Sequence, residues 1–239
     1  DSVILRGTSI DGDFDAVDTN IRDELDCREA VVAGTVRLTT TEDDPRLSPT
    51  AMSDSPSIGG CVGFSDGEFD TLILTGVVVE ETVLAERARF DDATIAPGEK
   101  SETTIQCTET KIRTGTLAPP ETGTVQFNLR QSVLGDVTLK PGSDPAAPLE
   151  PYWIVRAEFD GFRFTEHREL LVAEDWRLHG TPEQVSLSPT DLEVTYLAAK
   201  NGANQVGARN AAGEFFKREL RNRRHSHLNA LASGSLRSR

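Results

Sequence analysis

Along the first two thirds of the chain, apolar residues fall mostly at every second position, the period of a strand with one buried face. Val31 to Thr40 (VVAGTVRLTT) is β-branched and nearly alternating, and Thr71 to Val79 (TLILTGVVV) and Thr82 to Phe90 (TVLAERARF) repeat the pattern. Thr94-Ile95-Ala96-Pro97-Gly98-Glu99 reads as a turn that feeds a strand over Thr103 to Thr114, and Val125, Phe127 and Leu129 alternate with polar partners. Tyr152 to Phe159 and Phe162 to Glu166 flank Asp160-Gly161, a pair suited to the positive-φ positions of a type I′ hairpin. Leu192, Val194 and Tyr196 close the set. Short strands with turn residues every few positions, and no repeated strand–helix alternation, predict a mainly β protein: an antiparallel β-sandwich, jelly-roll or Ig-like.

Two stretches read as helix. Asp18 to Glu29 places Ile21 and Leu25 on one face. Ala211 to Leu231 has Glu214 four residues before Arg218 and Glu219 four before Arg223, the stabilising acid-first order, with Phe216, Leu220 and Leu231 at near-helical spacing. This predicts a C-terminal basic amphipathic helix. The Pro-rich stretches 117–120 and 141–151 divide the chain into a first β-rich part (1–140), a loop or linker (141–151), a second β-rich part (152–199) and a basic tail (200–239). No internal repeat stands out by inspection.

Charge is the least random feature. The 239 residues carry 39 acidic and 25 basic side chains, a net −14. Residues 200–239 nevertheless hold nine basic and two acidic ones. Three readings of that tail compete: it lies on its own acidic body or a neighbouring copy's, it faces a nucleic acid or anionic membrane, or it is a solvated end. Its partner-binding residues would be Phe216, Lys217, Arg218, Leu220, Arg221, Arg223 and Arg224. Only five of the basic residues are Lys, a balance that suits concentrated salt, where acidic self-repulsion is screened within a few ångströms; an Arg-rich genome is the competing source.

Catalytic signals are weak. Gly63-Phe64-Ser65-Asp66-Gly67 matches the nucleophile elbow, but that motif needs a strand-to-helix turn and Glu68 to Val79 reads as strand; His167 or His179 could serve as base. Asp11, Asp13, Asp15 and Asp18 start like an EF-hand, yet Ala16 and Arg22 occupy the positions that require Gly and Glu. Cys27, Cys61 and Cys107 have no close pairing, which disfavours zinc; one disulfide is compatible, three buried thiols favoured. His225 and His227 point to different sides of a helix, and Trp153 and Trp176 read as core. No motif calls for a cofactor or an enzyme. No apolar run reaches the roughly 18 residues of a membrane span, and the start of the chain has no signal-like segment.

An acidic strand-rich body, Pro-Gly turns and an Arg-rich end together resemble, in composition alone, structural proteins of haloarchaeal viruses. That resemblance implies a capsid or tail subunit located in a virion and assembled in the host cytoplasm, its tail docking on another subunit, membrane or genome. The Ala96-Pro97-Gly98-Glu99 turn is similar to one in many immunoglobulin-like sandwiches. The alternatives are a surface or secreted β-sandwich binding module and a serine hydrolase using Ser65.

Overall fold

The computed structural model describes residues 2–17, 19–39, 56–178 and 187–236. Its strands, in chain order, are β1 (Val3–Ile4), β2 (Ser9–Ile10), β3 (Phe14–Val17), β4 (Leu25–Asp26), β5 (Val31–Thr39), β6 (Ser57–Ile58), β7 (Val62–Gly63), β8 (Glu68–Thr75) and β9 (Val78–Val79). They continue as β10 (Thr82–Leu84), β11 (Arg89–Ala96), β12 (Glu102–Gln106), β13 (Lys111–Leu117), β14 (Thr124–Asn128), β15 (Val133–Leu139), β16 (Tyr152–Trp153) and β17 (Glu158–Phe159). The helices are α1 (Arg168–Ala173), α2 (Pro189–Gln205) and α3 (Arg209–Leu236).

Among the described residues every strand pairing is parallel, and consecutive strands of the chain mostly fall in different sheets. One sheet runs β1-β4-β7-β10-β12-β14-β16, a second runs β17-β15-β13-β11-β8-β5-β2, and β6 pairs with β9 on a third side. The chain therefore winds as a β-solenoid of about six turns. The antiparallel sandwich, jelly-roll or Ig-like, predicted from alternation is wrong: alternation reports one wet and one buried face, and a solenoid satisfies that condition with parallel strands. The Asp160-Gly161 hairpin is also absent: its first arm, Tyr152 to Phe159, is split between β16 and β17 of different sheets, and its second, Phe162 to Glu166, forms no strand. The helix expected over Asp18 to Glu29 is instead coil with β4, Asp18 itself lying outside the described residues, and Leu192, Val194 and Tyr196 lie on α2 rather than on a strand.

Winding imposes a repeat that the residues do not display. Val83 pairs with Ile105 and Ile105 with Phe127, 22 residues further each time. The step from Val62 to Val83 is 21, and that from Phe127 to Tyr152 is 25 because it contains the Pro141–Pro151 loop. That loop is a corner of the winding. One turn of the solenoid ends where the next begins directly above it, so equivalent residues stack about 4.8 Å apart. Val62, Val83, Ile105, Phe127 and Tyr152 form one buried column; Val32, Phe69, Phe90, Ile112, Leu134 and Phe159 form another. Phe69 stacks on Phe90 at 5.3 Å, and Phe127 on Tyr152 at 5.2 Å.

One corner recurs from coil to coil. Gly7, Glu29, Asp66, Arg87, Glu109, Gln131 and Arg156 all have φ between +55° and +64°. In most coils the residue after this corner donates its N–H to the carbonyl three residues back, as in Ala30 to Cys27 (3.2 Å) and Ala88 to Ala85 (3.3 Å). A left-handed third residue with that bond is a type II turn. The residue after it packs inside the bend and is small: Ala30, Gly67, Ala88, Thr110, Ser132 and Ala157 are all buried. Asp-to-Arg contacts then tie adjacent coils, between exposed side chains in Arg87–Asp66 (2.7 Å) and from a buried arginine in Arg37–Asp15 (2.6 Å).

Candidate docking surface

Helices α1, α2 and α3 close the C-terminal end of the solenoid. Ser188 caps α2, accepting the Asp191 N–H at 3.1 Å, with Pro189 in the first turn. Thr195, Tyr196, Ala199, Gly202 and Ala203 recur at helical spacing and are buried against the last coil and α3. The fit is closest at Gly202, where an added Cβ would stand 2.5 Å from Phe159 Cβ. Polar contacts fix the pose: the Arg156 N–H donates to Thr195 Oγ1 at 2.8 Å, and Arg156 Nε reaches Asp191 Oδ1 at 2.6 Å. The Ser188 hydroxyl and the Arg156 guanidinium hold the Asp191 carboxyl below the usual carboxylate range.

Helix α3 runs back along α2. Its inner face carries Ala211, Ala212, Phe215, Arg218 and Glu219, all buried. Phe215 packs edge-on against Phe164 and Trp176. Glu219, only 2% exposed, accepts Lys200 Nζ at 2.6 Å and Arg223 Nη2 at 2.7 Å, and Arg223 also reaches Glu193 at 2.7 Å. Arg218 Nη2 bonds Asp175 Oδ2 at 2.8 Å. A buried carboxylate with two cations is tolerable because each desolvated charge has a partner.

The seven residues singled out from sequence therefore divide. Arg218 and Arg223 are engaged within the chain, so at these two positions the basic tail lies on its own acidic body. Lys217 pairs with Glu214 at 2.7 Å yet stays 68% exposed. Leu220 is half-buried, and Phe216, with Lys200 Nζ 5.4 Å from its ring centre, is exposed. Arg221 and Arg224 are exposed and make no ion pair among the described residues. At roughly 100° per residue, Lys217, Arg221, Arg224 and Leu228 form one stripe on the side of α3 opposite Phe215 and Glu219. Leu228 is not among the seven; its i+11 spacing from Lys217 is the signal in the sequence that marks it.

The other candidate residues are dispersed. Ser65 lies in the type II corner between β7 and β8, buried, with its Oγ accepting the Glu86 N–H at 3.2 Å. It hydrogen-bonds no histidine among the described residues, and His179 lies outside them. His167 is in the helical cap, its Nδ1 at 3.0 Å from the Arg163 carbonyl and its Nε2 accepting the Leu139 N–H at 2.8 Å. Asp13 accepts the Thr35 N–H at 2.8 Å, and Asp15 pairs with Arg37. Cys27 and Cys107 occupy the same core column, where burial pushes both thiols up to about 12; Cys61 is half-exposed. All three are free. His225 and His227 are exposed on α3, Trp153 lies under Arg130 at 6.0 Å, and Trp176 packs in the cap. Among the described residues, no group of three His, Cys, Asp or Glu side chains is placed to hold a metal, and no helix is long and apolar enough to cross a membrane.

Comparison of the chain with protein-family models, with curated proteins and with solved structures returned no match.

Proposed function

We propose that this chain is a structural subunit of a larger assembly, with α3 as its docking element. The observation that carries this reading is the outward stripe Lys217, Arg221 and Arg224 with the exposed Leu228 in line. The inner face of the same helix already packs the cap, and Arg221 and Arg224 make no ion pair with their own chain among the described residues. In a protein of net charge −14, Arg221 and Arg224, which make no ion pair among the described residues, and the largely exposed Lys217 favour a carboxylate-bearing protein surface as the partner. A solenoid suits such a role, because stacked coils make a stiff body with evenly spaced side chains. In a virion, the place proposed for it on composition, the same contacts would join shell or tail subunits.

The test uses the full chain in sedimentation and light scattering at about 0.1 M and about 1 M salt, either side of a severalfold change in screening length. Wild type is expected to associate at both salts, more weakly at the higher, and Lys217→Glu/Arg221→Glu/Arg224→Glu to remain monomeric with an unchanged circular dichroism spectrum. A wild-type monomer under both conditions overturns the proposal. So does a monomer that instead binds duplex DNA or anionic vesicles through the same three residues.

A further inference from the structure

We infer that the α3 stripe docks on the corner where the third side of a second copy's solenoid meets its seven-stranded sheet; this rests on the assembly reading and names the receiving surface. The segments 76–82, 97–104 and 119–126 lie on three successive coils, as the Lys100 N–H to Thr122 carbonyl bond (2.9 Å) and the β10-β12-β14 pairing show. They carry five exposed carboxylates, Glu80, Glu81, Glu99, Glu102 and Glu121, against one cation, Lys100. None of the five makes an ion pair among the described residues. Glu99 accepts the backbone N–H groups of Glu121 (3.1 Å) and Thr122 (2.6 Å), which aligns two adjacent corners; Glu81 accepts the Cys61 thiol (3.2 Å), and Glu80, Glu102 and Glu121 face solvent.

Spacing matches as well as sign. Stacked coils repeat about every 4.8 Å, so three of them extend over about 10 Å. On a helix, Lys217 to Arg221 is a rise of about 6 Å and Arg221 to Arg224 about 4.5 Å, together about 10.5 Å. A helix laid along the solenoid axis thus meets one coil with each cation. Beside the carboxylates runs a shallow cavity of about 450 Å³, floored by Gly76, Pro97, Gly98 and Pro119 with Glu99 and Glu121 at its rim. It offers a seat for Leu228 of the incoming helix. Within one chain the stripe points away from its own cap, so the occupant is another copy. Donor and acceptor are different patches, so the contact is heterologous and copies can add in series.

Charge exchange tests this. Glu80→Lys/Glu102→Lys/Glu121→Lys alters the acceptor without touching Glu99 or the helices, and Lys217→Glu/Arg221→Glu/Arg224→Glu alters the donor. Each alone should weaken association on the order of 100-fold, the cost of opposing like charges, while an equimolar mixture of the two should recover it. The isosteric Glu80→Gln/Glu102→Gln/Glu121→Gln chain, with solenoid spectrum and melting point as fold controls, should associate weakly and lose most of its salt dependence. If wild type associates and the acceptor variants associate equally well, or the mixture fails to recover association while both chains remain folded, this interface is wrong and the assembly reading survives. If wild type never associates, both fall.

Discussion

The left-handed corners make a quantitative expectation at Gln131. This residue holds φ at +57° on the solvent side, and its side chain makes no hydrogen bond or ion pair among the described residues. A non-glycine residue in that conformation costs roughly 1–2 kcal/mol. Glycine removes that cost and introduces about 0.5–1 kcal/mol of extra chain entropy in the unfolded state. Gln131→Gly should therefore stabilise the chain by about 0.5–1 kcal/mol. Gln126 is the control: equally exposed, five residues earlier, but extended within β14. There the same substitution gains nothing and forfeits the entropy, a loss of about 0.5–1 kcal/mol. At about 2–4 °C per kcal/mol for a chain of this size, the two variants should melt on opposite sides of wild type, separated by several degrees. Thermal and urea unfolding followed by circular dichroism would read the sign directly. Two shifts of the same sign and size would refute the corner as a site of backbone strain. Arg87→Gly should fall between them, because it relieves the same strain but loses the Asp66 pair (2.7 Å), itself worth little at an exposed position.

The cap and the core carry further expectations. His167 is held neutral, since burial lowers its pKa against the smaller opposing pull of the Arg163 carbonyl, Glu166 and Asp136, and a proton on Nε2 would confront the Leu139 N–H. Its contribution is complete above the ordinary histidine pKa of about 6.5 and is lost as pH falls through the lowered folded value; melting between pH 7 and about 5 should flatten in His167→Gln, and an unchanged slope would remove the residue from the acid response. Gly202→Ala should destabilise by about 1–3 kcal/mol despite alanine's better helix propensity, because its methyl meets Phe159; a stabilised variant in urea titration would show that α2 can lift off the last coil without penalty. Of the three thiols, Cys61 alone should react with a disulfide reagent at about pH 8 before unfolding, Cys27 and Cys107 being buried; equal rates for all three would contradict the core column.

Much of the local structure can be read from the residues alone. Val31 to Thr40, Thr103 to Thr114 and Val125 to Leu129 contain strands because alternation is a property of the strand itself, and Ala211 to Leu231 is helical because its ion pairs and apolar spacing are local. The partner of each strand is not local. Half-buried parallel and antiparallel strands alternate in the same way, so β8 through β15 carry no mark of which neighbour they meet. Corners hide the winding further, because Glu29, Asp66, Arg87, Glu109 and Gln131 stand at positive φ in place of the glycines that would display a repeat.

The same division holds for the docking surface. A helical count places Lys217, Arg221 and Arg224 on one stripe, but only packing assigns Arg218 and Arg223 to the inside, since Asp175 and Glu193 are brought to them by other segments. Likewise, Glu80, Glu102 and Glu121 are scattered in the chain and are brought to successive coils only by a winding of about 22 residues per turn. Residue type and spacing settle what a segment can be on its own. Stacking of one coil on the next, through contacts between residues far apart in sequence, decides which of those segments share a surface.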